Sequence, residues 1–135
     1  MSTSEDASLS VSFGSEDLLL EVLLSVVENA GLETQIALYT GGGTIIGTLI
    51  KTDTWVEAWT AKVQAARPEV GLGILLQSAF EEATGGRVSR LGSGFLHLRD
   101  ATYRNGPMTM SAPLWRGTIS QISGWSLEAS FQVST

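Results

Sequence analysis

The chain contains no cysteine, so disulfides, thiolate metal sites and cysteine nucleophiles are excluded. Its one histidine, His97, rules out any centre that needs two imidazoles. No run of about 18 apolar residues occurs, so no membrane-spanning segment is expected. The first 50 residues lack lysine and arginine altogether. The opening Met1-Ser2-Thr3-Ser4-Glu5-Asp6 is acidic and has no basic n-region of a signal peptide, which predicts a cytoplasmic location. With 43% hydrophobic and 16% charged residues, the remaining composition is that of a globular protein. Its 135 residues suffice for one domain with a buried core.

The charge is unevenly placed. Residues 1–50 hold seven acids and no base, a balance of −7, whereas residues 51–135 hold eight bases and seven acids, a balance of +1. Within the second part, Arg87, Arg90, Arg99, Arg104 and Arg116 face only Asp100 over residues 87–116. Net acidity argues against nucleic acid as a partner, because phosphate binding draws on clustered cations. The asymmetry permits head-to-tail self-association through complementary fields.

Residues 1–14, rich in Ser with Glu, Asp and Gly, read as a loose acidic tail, followed by one domain over 15–135. Ser15 is the expected N-cap of a helix, with Glu16 and Asp17 in its first turn, and Gly31 is the expected stop after Ala30. Leu19, Val22, Leu23, Val26, Val27 and Ala30 form one apolar stripe, which Leu18, Leu20 and Leu24 widen. A stripe that wide predicts either a sandwiched helix or an outer face that meets another protomer. Two strands follow, about 34–40 and 44–50, joined by Gly41-Gly42-Gly43. A glycine-rich phosphate loop would need a helix directly after it, and Thr44-Ile45-Ile46 continues as strand.

Residues 53–83 change to helical period. Thr54 with Glu57 fits a capping box, and Trp55, Trp59 and Val63 share a face. Beyond Pro68, a second helix carries Leu72, Leu75, Leu76, Ala79 and Phe80 inward and ends near Gly85-Gly86. The helical insert thus spans about 53–85. Strands at 95–104, 114–119 and 121–133 complete the order α, β, β, α, α, β, β, β. Glycines within the strands, as in Trp115-Arg116-Gly117, mark bends or close backbone approach of the kind a small barrel needs.

No catalytic constellation stands out. His97 and Arg99 fall on one strand face with Leu96, Leu98 and Asp100 on the other, so His97 and Asp100 are poorly disposed as a base and its orienter. His97 is read as a partly buried strand histidine. No serine sits in a G-x-S-x-G elbow. Arg116 suits a structural role, stacked on an aromatic ring or paired across the sheet. No enzyme activity, cofactor or metal is expected.

Two resemblances rest on these residues. The helix-then-strands order, with Arg116-Gly117 before a short corner at Ile119–Ile122, resembles the Sm-like barrel. In that family an Arg-Gly pair ends the fourth strand. Residues 53–94 replace the short loop between its second and third strands, and the residues by which it reads RNA have no counterpart here. Over most of residues 17–130 the chain is similar to the gas vesicle accessory protein U family. That likeness is carried by Val27-Glu28-Asn29-Ala30-Gly31, Gly42-Gly43-Thr44-Ile45-Ile46-Gly47-Thr48-Leu49-Ile50, Phe95-Leu96-His97-Leu98-Arg99-Asp100-Ala101, and Trp115-Arg116-Gly117-Thr118-Ile119 through Gly124-Trp125-Ser126-Leu127. It implies a non-enzymatic accessory role in assembly or clustering of gas vesicles, with vesicle structural or accessory proteins as partners.

The expected fold is α+β: a small, strongly bent Sm-like or SH3-like five-stranded β-barrel with an N-terminal helix and a two-helix insertion between strands 2 and 3. The expected function is self-association and protein contact, as a homo-oligomer, through Trp115, Arg116, Trp125, Arg99, Leu20 and Leu24. The alternatives are a ring-forming Sm-like RNA-binding module and a small-ligand site between the insert helices and the barrel, lined by Trp55 and Trp59.

Overall fold

The computed structural model describes residues 17–132, so the acidic tail expected over 1–14 lies outside the described residues. Helix α1 (Leu18–Ala30) is capped by Asp17, whose Oδ1 accepts from the Leu20 backbone N–H at 3.0 Å. The cap is therefore Asp17 and not Ser15, which lies outside the described residues. A carboxylate at this position meets both the unpaired N–H groups and the positive end of the helix dipole. Gly31 ends the helix in the left-handed region, as expected.

The phase of α1 differs from the expected one. Leu20 and Val27 are buried, and Leu23 and Leu24 pack against the same core, whereas Leu18, Leu19, Val22 and Val26 are exposed. Two apolar stripes compete on this helix, and periodicity alone does not choose between them. Two anchoring carboxylates decide. Asp17 Oδ2 accepts from Trp125 Nε1 at 2.7 Å, and Glu28 Oε1 accepts from Thr52. Positions 17, 20, 24, 27 and 28 share one helix face, so these anchors turn Leu20, Leu24 and Val27 inward.

Strands β1 (Thr34–Thr40) and β2 (Gly43–Leu49) pair as an antiparallel hairpin over their full lengths. Strand β3 (Phe95–Asn105) lies against β2, and β4 (Met108–Thr118) against β3. Strand β5 (Ile122–Leu127) pairs with β1. It is shorter than expected, because Glu128 adopts a φ of 62° and ends the extended run. The order β4-β3-β2-β1-β5 is an open antiparallel sheet, in which no ladder joins β4 to β5. Closure into a barrel by hydrogen bonding is thus absent.

The sheet is nevertheless curled. Flat, it would place β4 and β5 about 19 Å apart, four strand spacings. The link from Thr118 to Ile122 spans at most about 14 Å when fully extended. It is instead a compact 3₁₀ turn, Ile119–Gln121, and so draws the Phe95 end of β4 to the hairpin-tip end of β5.

A bulge re-aims β3. Gly47 sits opposite Asp100 and Ala101, since Ile46 pairs with Thr102 and Thr48 with Arg99. Asp100 has a φ of 51°, and a Cβ on Gly47 would come within 3.1 Å of both the Ala101 Cα and the Arg99 carbonyl oxygen. Glycine is required where two backbones approach so closely. The extra residue shifts the alternation. Ala101 joins Leu96 and Leu98 in the core, and Asp100, expected on that face, points to solvent.

Between β2 and β3 run α2 (Thr52–Ala66), a 3₁₀ turn (Pro68–Val70), α3 (Leu72–Thr84) and a second 3₁₀ turn (Val88–Gly92). Helix α2 starts at Thr52 without a side-chain cap of its own, so the expected Thr54–Glu57 box does not form. The Glu28 carboxylate of α1 replaces it, accepting from the Thr52 N–H at 2.7 Å and from its hydroxyl at 2.5 Å. On α3, Thr84 is buried and Leu72, Leu76 and Phe80 are half-buried, while Leu75 and Ala79, expected inward, are exposed. The inward positions follow a strict four-residue spacing, a narrow seam that suits packing on one neighbouring helix.

Two cores result. Leu20 and Val27 of α1 meet Ile36, Leu38, Ile45, Leu49, Leu96 and Leu98 on one face of the sheet. Ile50, Trp55 and Val56 meet Trp59, Phe80, Leu91 and Leu114 on the other. Successive β3 residues serve both cores: Leu96 and Leu98 face the first, and the buried His97 ring lies 5.1 Å from the Trp55 ring in the second.

Candidate interaction surfaces

The Trp115-Arg116-Gly117 segment is a packing unit. Trp115 and Gly117 share a strand face, and a Cβ on Gly117 would lie 2.7 Å from Trp115 Cζ2, so the glycine leaves room for the indole. Trp115 in turn packs on the α1-side core. Arg116, on the opposite face, donates from Nη2 to the Leu91 carbonyl at 2.6 Å. Its guanidinium sits 3.8 Å over the Phe95 ring. It thereby ties β4 to the turn after α3, and burial lowers its pKa from the usual arginine value.

The other expected contact residues divide between surface and interior. Arg99 reaches across the surface from Nε and Nη2 to Glu33 Oε1 at 3.3 and 3.1 Å, and from Nη1 to Asp100 Oδ2 at 2.7 Å. These hydrogen bonds, that to Glu33 first, raise its pKa. Trp125 packs on the core and donates to Asp17. Leu24 is half-buried and Leu20 fully buried, both on the inward side of α1. The outward side, Leu18, Leu19, Val22 and Val26, is 57%, 67%, 47% and 43% exposed.

His97 and Asp100 are not assembled as an acid–base pair: the imidazole is buried against Trp55, and the carboxylate is bound to Arg99 at the surface. His97 pairs in register with Arg116. Burial, with the Arg116 charge adding, pushes the His97 pKa down to about 4, so the ring is neutral at pH 7. Its Nε2 and the Trp55 Nε1 are both buried, and neither has a hydrogen-bond partner among the described residues. Among the described residues, no three His, Asp or Glu side chains are grouped to hold a metal ion.

Several concavities among the described residues are large enough to consider as sites. One of about 670 Å³ runs between α2 and α3. A second, about 600 Å³, lies between α1, residues 89–94 and β3, bordered by Glu21, Glu28 and His97. A third, about 360 Å³, separates the β1–β2 hairpin tip from the β4–β5 corner beside Trp115. None of these three is the ligand site expected between sheet and helices. Trp55 and Trp59 are stacked with ring centroids 6.4 Å apart, and Trp59 meets Phe80 at 6.2 Å, so this aromatic row fills that space.

The Glu28–Thr52 cap escaped sequence reasoning. One signal pointed to it. An acid in the last turn of a helix faces the negative end of its dipole, an unfavourable position unless the carboxylate has a partner elsewhere.

Among the described residues, no helix is long and apolar enough to cross a membrane. A family model described as gas vesicle protein GvpU-like matches residues 17–130, all of which the structure describes. No curated protein and no solved structure matches the chain.

Proposed function

We propose, for a chain that belongs to the GvpU-like gas vesicle protein family, that it is a cytoplasmic accessory protein of the vesicles with no reaction of its own. It acts by self-association and by contact with vesicle structural or accessory proteins, in assembly or clustering. Its curled sheet is read as an Sm-like, half-open barrel with the α2–α3 pair as an insertion.

One observation carries this reading: the outward face of α1. Leu18, Leu19, Val22 and Val26 form a stripe as apolar as the buried one, and among the described residues nothing covers it. Burying one such side chain is worth about 1.5–3 kcal/mol. Four on one helix make an association surface. Trp115, Arg116, Trp125 and Arg99 contribute from the sheet side by fixing the α1 docking site and the strand edges. Leu20 and Leu24 hold the helix in the phase that presents the stripe.

The reading as an RNA-binding ring has less support. Arg99 and Arg116 are engaged within the fold, and Arg104 stacks over Phe131 at 4.3 Å. That leaves Arg87 and Arg90 of the five clustered arginines, too few for a phosphate track.

Sedimentation and light scattering at tens of micromolar, in low and high salt, test the proposal. An oligomer is expected at both, converted to monomer by Val22→Glu with unchanged circular dichroism. A strict monomer of the unmodified chain in both salts overturns it.

A further inference from the structure

The groove between α2 and α3 is a second surface, on the opposite side of the sheet from the α1 stripe and independent of it. Gln64 faces Gly73, and Trp59 meets Phe80, so the two helices run antiparallel. Val56, Thr60 and Gln64 line one wall at four-residue spacing, and Ile74, Gln77 and Phe80 line the other at three-residue spacing. These are continuous helix ridges, and they make a linear trough. From Val56 to Gln64 it is about 12 Å long at the rise of an α-helix, room for two turns of a third helix.

The trough is preformed. Its floor at Phe80 is braced by the Trp59–Trp55 row, and one end is fastened by the hydrogen bond from the Gly73 N–H to Gln64 Oε1. The Thr60 hydroxyl is spent on its own helix, donating to the Val56 carbonyl at 2.8 Å. The wall there lacks a free donor. Ile74 is 79% exposed at the rim, an unusual cost for an isoleucine that nothing covers among the described residues.

The rim is charged with one sign. Asp53 and Glu57, one helical turn apart, border the trough, no lysine or arginine lines it, and neither carboxylate has a cationic partner among the described residues. This selects the occupant. Residues 1–16 carry Glu5, Asp6 and Glu16 without a base, and α1 carries Glu21 and Glu28 without a base. The chain's own tail and the α1 helix of a second copy would both be repelled.

We propose that the α2–α3 trough receives an amphipathic helix of another protein, with leucine-type anchors on one face and lysine or arginine along the flank that meets Asp53 and Glu57. The apolar walls supply the anchoring, and the carboxylate pair sets the orientation of the helix.

The test uses the full chain and two labelled synthetic 14-residue helices. Both have leucine anchors at positions i, i+4 and i+7, and they differ only in lysine or glutamate along one flank. Fluorescence anisotropy at low salt is expected to show binding of the lysine peptide and at least tenfold weaker binding of the glutamate peptide, with affinity falling as salt rises. Asp53→Lys with Glu57→Lys is expected to invert that preference, an outcome that a merely misfolded variant does not give. Glu57→Gln alone is expected to weaken the lysine peptide about threefold. Val22→Glu, which breaks self-association through α1, is expected to leave peptide binding unchanged. Equal affinity for both peptides, no binding of either, or a preference unmoved by charge reversal overturns the proposal.

Discussion

The two helical coverings of the sheet bury apolar surface by different means. On the first face, α1 is a single helix held by aliphatic contacts and by two carboxylates at its ends, Asp17 on Trp125 and Glu28 on Thr52. On the second face, α2 and α3 brace each other through the Trp55–Trp59–Phe80 row, and the sheet contributes a buried histidine. The pair has an interior of its own, whereas α1 has only the sheet. Its far side is left as apolar as its near side. The covering with less support within the fold thus presents the larger uncovered apolar face, and that contrast is the ground for placing the proposed self-association surface on α1.

Four measurements would break or sharpen the contrast. Truncating the centre of the second covering has the largest expected effect: Trp55→Ala should cost about 3–5 kcal/mol in chemical denaturation, since it empties a buried site bounded by Trp59 and His97. A loss under about 1 kcal/mol would mean that the aromatic row is not a core. Acid titration should single out the same face. His97 titrates at about 4 in the folded chain against about 6.5 unfolded. The unfolded chain therefore takes up a proton first as pH falls. Stability should be full above about pH 6.5 and decline toward pH 4, on the order of 3 kcal/mol in all. His97→Gln should flatten that slope. The Asp17 pKa is lowered by its backbone bond from Leu20 and then by Trp125, so its contribution is present above its ordinary value of 3.8 and is lost only at more acid pH. The two coverings are thereby separated by pH window.

Glu28→Ala, third in size, should cost about 1–2 kcal/mol, because it leaves two donors of the buried Thr52 unpaired. Its effect should appear as fraying of α2 in hydrogen exchange, although the mutated residue belongs to α1. Leu19→Ala should be smallest, within about 0.5 kcal/mol for the monomer, while lowering the mass measured by light scattering. A large stability loss on monomer would place Leu19 in the core and remove the contrast.

Much of the architecture was legible because its signals are local. Gly31 after Ala30, the glycines between β1 and β2, and Pro68 between two helical runs each act on their immediate neighbours, and each marks an element boundary in the structure. The short link before Ile122 was legible too, but the closed barrel expected around it is an open sheet. What escaped depends on residues far apart. The phase of α1 is decided by Thr52 and Trp125, neither of which its own periodicity contains. The outward turn of Asp100 depends on Gly47 opposing two residues, a mismatch that strict alternation along β3 does not predict. The expected contact set combined aromatic and arginine residues of the strands with Leu20 and Leu24 of α1. The structure brings Trp115 and Arg116 onto opposite faces of β4 as packing residues, and the uncovered stripe consists of Leu19, Val22 and Val26 of the expected apolar stripe together with Leu18, while Leu20 and Leu24 turn inward.

The 3₁₀ corner at Ile119–Gln121 also sets the order in which the protein can be made. Strand β1 has its second neighbour only in β5, with Ile36 opposite Leu127, 91 positions along the chain. On the ribosome, the free edge of β1 must wait, unpaired, through the synthesis of both helices and the β3–β4 hairpin. Such long-range pairing makes for slow folding, and the nascent chain carries an open strand edge for most of its emergence.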